Sequence, residues 1–323
     1  MELPFSQKYL LPRKNSLNMK INCNQIIYIK LGEGGDWEKE CLMEQPSIRI
    51  GFIGVDERDC LNGDWEKVRN YFITKENKIQ AAASDHVREL KIFYESSEND
   101  IWITFADNKM WWCFPGDKFS VKEDNSKVRS LKKVWSDEDI NGKKLTLGDL
   151  GGKLTKTQGY RKTICHIEEK EYTLRKINGL DSKEVTEAKE AKQNLMQKIE
   201  KLIQSLSWKD FELLTDLIFR QAGWQRLSEI GKTAKWFDLE LLHPVTGERC
   251  LVQIKSKSNN QEIKKHVEKF QLITGYDKFF FVVHSETDRI EIMEFPNVQL
   301  INSKKLSELV INAGLMDWIF LRN

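Results

Sequence analysis

The sequence predicts an α+β chain of two domains. The first is β-rich and barrel-like, the second is α/β with a mixed central sheet, and a connector helix joins them. Three observations predict this. Across 25–180, short apolar or alternating runs recur between turn signals such as Gly34-Gly35, Asn62-Gly63, Asn141-Gly142 and Gly151-Gly152, the pattern of many short strands. Residues 181–206 contain neither Pro nor Gly and repeat Val185, Ala188, Leu195, Ile199, Leu202 and Leu206 near helical spacing. Residues 207–323 alternate helical and strand-like segments, as α/β units do.

Taken in order, residues 1–24 read as a polar extension. Strands are expected at Ile26–Leu31, Ile48–Ile53, Leu90–Tyr94, Ile101–Phe105, Trp111–Phe114, Lys162–Ile167 and Tyr172–Ile177. Helices are expected at 64–73 and 79–91. Asn178-Gly179 marks the boundary before the connector, 181–206. In 207–323, Ser207-Trp-Lys-Asp210 is a helix-start pattern, with a serine to accept from first-turn amides. That helix continues through Phe211, Leu214, Leu217 and Ile218, and Gly223 ends it. Strands follow at Phe237–Leu242 and Cys250–Ile254, then a helix near Gln261–Ile273. Phe279–His284 is apolar enough for a strand buried on both faces. Ile290–Glu294 and Val298–Ile301 read as strands and Lys304–Ala313 as the last helix.

Composition excludes some functions. With 51 Lys+Arg against 49 Asp+Glu, and 17 basic against 16 acidic residues in 201–323, neither half is basic enough to declare a nucleic-acid partner by charge alone. No run reaches the roughly 20 apolar residues of a membrane span, and the first 20 residues lack an unbroken apolar core, so neither a membrane anchor nor a signal peptide is expected. The six cysteines, Cys23, Cys41, Cys60, Cys113, Cys165 and Cys250, form no CxxC pair. Reduced thiols in a cytoplasmic protein are the expectation.

The chemistry gathers in the C-terminal domain. Strand alternation places Asp238 and Glu240 on the face opposite Phe237, Leu239 and Leu241. It likewise separates Gln253 and Lys255 from Val252 and Ile254. Pairing these strands as a hairpin brings a carboxylate, an amide oxygen and an ammonium together. Glu212, on the first turn of the preceding helix, is a further candidate. Oxygen donors of this kind suit Mg²⁺, and Mn²⁺ can substitute. A cation there would polarise a phosphate and lower the pKa of a bound water.

The run from Trp208 to Lys255 resembles the Mrr-like branch of the PD-(D/E)XK restriction endonuclease superfamily. The resemblance rests on Asp210-Phe211-Glu212 opening a helix, Gly223-Trp224 closing it, Phe237-Asp238-Leu239, and Val252-Gln253-Ile254-Lys255-Ser256. In that branch glutamine often replaces the second acidic residue. The resemblance implies a restriction-endonuclease-like fold over 207–323. It also implies a metal held by Asp238, Gln253 and the Ile254 carbonyl, Lys255 as catalytic lysine, and Glu212 as an auxiliary acid. A non-catalytic nucleic-acid-binding protein on the same fold is the alternative, and a peptide-binding adaptor is a third reading.

Other signals carry less. Gly231-Lys232-Thr233 lacks the spacing of a phosphate-binding loop, position 226 being Arg. Lys232, and Lys257 beyond the catalytic lysine, remain candidates for contact with a nucleic-acid backbone. The five histidines form no metal pair.

The N-terminal domain is rich in tryptophan. Adjacent Trp111 and Trp112 point to opposite faces of a strand, so one is expected to line a cleft where a flipped base stacks. Tyr160 and Arg161 are further contact candidates. The pieces Ile29–Gly35, Trp102–Phe105, Trp111–Phe114 and Gly159–Cys165 resemble PUA-like small-barrel domains, some of which read modified bases. Such a reader joined to an Mrr-like nuclease resembles the layout of modification-dependent restriction enzymes. That layout implies DNA, modified or not, as partner. A single active site cuts one strand, so a double-strand break calls for a homodimer or two sequential nicks.

Overall fold

The computed structural model describes residues 20–227, 237–287 and 295–323. The chain divides into two units, Met1–Ser182 and Lys183–Asn323. No helix among the described residues is long and apolar enough to cross a membrane.

In the first unit β1 (Ile26–Ile29) and β2 (Ile48–Ile50) precede three helices, α1 (Glu57–Leu61), α2 (Trp65–Thr74) and α3 (Gln80–Glu95). Strands β3 (Ile101–Ala106), β4 (Lys109–Val121) and β5 (Lys127–Ser136) follow, then α4 (Gly152–Thr155), β6 (Ile164–His166) and α5 (Lys170–Ile177). The sheet order is β2-β5-β4-β3-β1-β6. β1 and β3 are parallel and the other pairs antiparallel. Asp107 and Asn108, at φ 50° and 60°, turn β3 into β4, the left-handed geometry a tight hairpin needs.

A closed barrel is not shown, because β2 and β6 end the strand order. The reason lies in the alternation. Ile27, Ile29, Trp102, Trp111 and Cys113 enter one core with Phe72, Val87, Leu90 and Phe93 of α2 and α3. Ile26, Tyr28, Ile101, Ile103 and Trp112 enter another with Leu154 and Ile177. A sheet covered on both faces makes both phases of each strand apolar.

Two expected strands are helical. Leu90–Tyr94 lies inside α3, where Ala83, Val87, Leu90 and Phe93 are buried at spacings of three and four. Tyr172–Ile177 lies inside α5, with Thr173 and Ile177 buried one turn apart. Strand β5 escaped prediction because its buried positions include Lys127 and Arg129.

In the second unit α6 (Lys183–Ser205) and α7 (Trp208–Gln221) lead to β7 (Gln225–Arg226), β8 (Leu239–Leu242) and β9 (Arg249–Ser258). Next come α8 (Asn260–Gln271), β10 (Lys278–Glu286), β11 (Val298–Ile301), α9 (Ser303–Asn312) and α10 (Met316–Phe320). The sheet order is β11-β10-β9-β8-β7. The β11–β10 and β10–β9 pairs are parallel and the β9–β8 and β8–β7 pairs antiparallel, so the sheet is mixed. The helix expected as a connector belongs to this unit, with Ile199 and Ile203 buried in its core. The expected strand Ile290–Glu294 lies outside the described residues, as does most of the expected 1–24 extension.

Phe280 and Val282 enter the core built with α6, α7 and α9. Phe279, Phe281 and Val283 enter the opposite core with Val267 and Phe270 of α8. Gln253 and Lys255 stand in register with Phe281 and Val283 of β10. Ser207, Asn259 and Asn302 each cap a helix by accepting from the amide three residues on. Asn259 thus starts α8 just beyond Lys255, close to the helix expected near Gln261–Ile273.

Candidate active site

The β8–β9 register pairs Leu239 with Val252 and Glu240 with Leu251. One step further it sets Asp238 opposite Gln253, and the Asp238 amide donates to the Val252 carbonyl at 2.9 Å. Asp238 Oδ2 accepts from the Ile254 amide at 2.6 Å and from Gln253 Nε2 at 2.5 Å. A carboxylate can only accept, so it fixes the Gln253 amide with its nitrogen inward. Asp238 Oδ1 and Gln253 Oε1 take no hydrogen bond from the described residues. Two uncommitted oxygens and the Ile254 carbonyl, which accepts a long 3.4 Å contact from Gln253, form an all-oxygen donor set. That set fits Mg²⁺, which keeps several waters and needs few protein ligands. No group of three or more His, Cys, Asp or Glu that could hold a metal occurs among the described residues. The candidate site therefore depends on an amide and a carbonyl.

Burial pushes the Asp238 carboxyl above its ordinary value, against the opposing pull of the Ile254 amide, Lys255, Gln253 and Arg226. Burial also raises Glu212, and the charge of Asp238 adds to it. Glu212 thus stands within electrostatic reach of Asp238. Arg226, which the sequence offered only as a reason to reject a phosphate loop, favours the ionised form of both acids. Its Nη1 lies 3.8 Å from Asp216, and its Nε and Nη2 are buried with no hydrogen-bond partner among the described residues.

Lys255 Nζ lies 3.5 Å from Glu262 of α8. Glu262 also accepts from Ser258 at 2.9 Å, so the lysine has a fixed counter-charge one helix away. Sequence reasoning missed Glu262, whose only signal is its place three residues after a helix-capping Asn. His266, one turn further, packs on Phe281, and burial lowers its pKa. Glu240 is taken up by Arg249 at 2.6 Å and Tyr276 at 2.9 Å, which makes it a rim charge. Lys257 is exposed, and Lys232 lies outside the described residues.

A cation held here needs ionised carboxyls. Stabilisation by Mg²⁺ is expected to be full near pH 8 and to fade on acidification at a higher pH than ordinary carboxyls would give. For metal-free protein the sign is opposite. A raised carboxyl favours folding fully below its ordinary value, and this favour is lost as pH rises through the raised value. Melting curves with and without Mg²⁺ from about pH 5 to about pH 8 test this. A Mg²⁺ increment independent of pH would contradict it.

The first unit does not offer its adjacent tryptophans to a ligand. Trp111 and Trp112 face opposite sides of β4, as expected, but both are buried. Trp111 Nε1 donates to the Ala106 carbonyl and Trp112 Nε1 to the Glu138 carbonyl, at 3.3 and 2.8 Å. Each packs into a different core, one on either face of the sheet. Tyr160 accepts from Arg88 at 3.2 Å and lines a cavity of about 370 Å³ with Lys153, Lys156 and His166. Arg161 is exposed and lines a different cavity, of about 600 Å³, with Trp37.

Residues 203–310 match the family model Mrr_cat, a restriction endonuclease. The C-terminal unit is an Mrr-like restriction-endonuclease domain of the PD-(D/E)XK class. The match spans a third of the chain and takes in Glu212, Asp238, Gln253 and Lys255. Among solved structures, the MspJI restriction endonuclease in complex with a 27-mer oligonucleotide is similar at 14% identity and a TM-score of 0.30. That similarity covers 74% of this chain and 67% of the other. No curated protein matches.

Proposed function

We propose that the chain is a Mg²⁺-dependent endonuclease that hydrolyses phosphodiester bonds of DNA. In this reading residues 207–323 cut and residues 25–180 select the site. Restriction of modified DNA is the biological role, and a homodimer supplies the second cut. The observation that carries the reading is the Asp238 carboxylate anchored on the Ile254 amide and Gln253, with Lys255 two residues on. Asp238, Gln253 and the Ile254 carbonyl would hold the cation, which when bound supplies charge to the phosphate and acidity to a water. Lys255 orients that water and offsets phosphate charge. Glu262 and Ser258 hold Lys255 in place. Glu212 and Arg226 set the charge around Asp238.

Plasmid cleavage tests the reading, with wild type and Lys255→Ala side by side in Mg²⁺ or Mn²⁺. Substrates are unmodified, methylated and hydroxymethylated DNA. Cutting by wild type alone, confined to a modified substrate, is the expected result. Cutting of every substrate would remove selectivity for modification. DNA binding without cutting in any condition would favour the non-catalytic alternative.

A further inference from the structure

We propose that the Arg226 guanidinium is a built-in second cation of the candidate nuclease site. It supplies the charge that a two-ion site would draw from a second divalent metal, so that the chain works with a single Mg²⁺. This rests on the reading of residues 207–323 as a metal-dependent nuclease. Two-ion phosphodiesterases hold their cations ~3.5–4 Å apart among shared carboxylates. Here the carboxylates are shared with an arginine.

Its placement follows from strand register and helix pitch. Arg226 stands opposite Leu241 in the β7–β8 ladder. Its side chain therefore leaves the sheet on the face where Leu241 packs with Phe211, Leu214 and Ile218 of α7. Glu212, Asp216 and Arg220 recur every four residues along α7, and so line one side of it. Asp216 Oδ2 is held by Arg220 Nε at 2.8 Å, and its Oδ1 lies 3.8 Å from Arg226 Nη1. One turn back is Glu212, on which the charges of Asp238 and Arg226 both act.

Structure alone does not account for this burial. The Arg226 and Asp216 side chains are 9% and 6% exposed, and 3.8 Å is too long for a hydrogen bond. Arg226 Nε and Nη2 and Asp216 Oδ1 are buried with no hydrogen-bond partner among the described residues. A buried charge left in that state is costly. What the guanidinium does supply is a charge that pH does not remove, felt by Glu212 and Asp238 alike. Those are the two carboxylates that a second divalent ion would share. Buried as it is, Arg226 acts through them and not on DNA, as a positioning residue.

The test is Mn²⁺ binding to the full chain without DNA, read by electron paramagnetic resonance, in which a bound ion leaves the free-ion signal. Wild type is expected to bind about one Mn²⁺ per chain, and its single-turnover cutting rate to rise hyperbolically with metal. Arg226→Gln removes the charge while Arg220 stays on Asp216, so the fold should hold. Its first ion should bind at least as tightly as in wild type, and a second should appear. With only the first bound, cutting should fall at least about tenfold, and it should recover steeply as the second binds. Arg226→Lys keeps the charge and should keep a single ion. Arg226→Met is of similar length and uncharged, so it should gain the second ion as Arg226→Gln does, and it serves where Arg226→Gln is unstable. Two ions in wild type would overturn the proposal whether or not any variant folds. A single ion in the folded uncharged variants would also overturn it, as would a first ion bound more weakly than in wild type, the mark of a merely structural arginine. No Mn²⁺ bound by wild type would overturn the nuclease reading with it.

Discussion

Asp238→Asn is expected to cut DNA at least about 10³-fold more slowly than wild type in single turnover, the equivalent of roughly 4 kcal/mol of barrier. The substitution isolates charge from structure. An asparagine oxygen in the place of Oδ2 can still accept from both the Ile254 amide and Gln253 Nε2. What disappears is the carboxylate oxygen that Oδ1 leaves free for a cation. Because burial raises the Asp238 carboxyl, holding it ionised near neutral pH costs the metal-free fold some stability. The metal-free variant should therefore melt no lower than wild type near pH 8, and its Mg²⁺ increment should vanish. Loss of cutting with loss of the fold would instead make Asp238 structural. Unimpaired cutting would remove it from the site.

How much of this was legible follows from distance along the chain. Asp238, Gln253 and Lys255 could be placed together because strand alternation sorts faces and the short 243–248 connection forces an antiparallel pair. Ser207 announced its helix through a local rule. Arg226 and Glu262 were not legible, since each acts through residues on other elements. The same holds for the Trp37 cavity, whose lining is drawn from positions as far apart as Lys30 and Thr163. In the first unit, hydropathy misled wherever a sheet face buries charge. Lys127 spends its ammonium on the Asn125 carbonyl at 2.7 Å, and Arg129 is consumed by four acceptors, so β5 showed no alternation to read. The paired tryptophans misled for the converse reason: two cores stand where one interior was expected.

Arg129 also carries the largest stability prediction. Its Nε donates to the Gly116 carbonyl at 2.8 Å. Nη1 reaches the Phe93 carbonyl at 2.7 Å and Ser96 Oγ at 2.6 Å, and Nη2 the Ser96 carbonyl at 2.7 Å. Phe93 and Ser96 end α3, where carbonyls lack partners of their own. One buried cation therefore closes a helix and fastens it to the irregular stretch of β4 that contains Gly116. Arg129→Met keeps the length and apolar contact but leaves four acceptors unpaired, at a cost of about 3–5 kcal/mol. Against roughly 5–15 kcal/mol for a domain, that should lower the first unit's thermal transition by about 10 °C or more. Arg129→Lys should fall between, since an ammonium cannot reproduce the planar fork. The second unit closes its own cores, so its transition should stay in place. At a temperature between the two transitions, Arg129→Met should still cut DNA in Mg²⁺ but without preference among substrates. Selectivity that survives melting of the first unit would locate recognition in the nuclease domain itself.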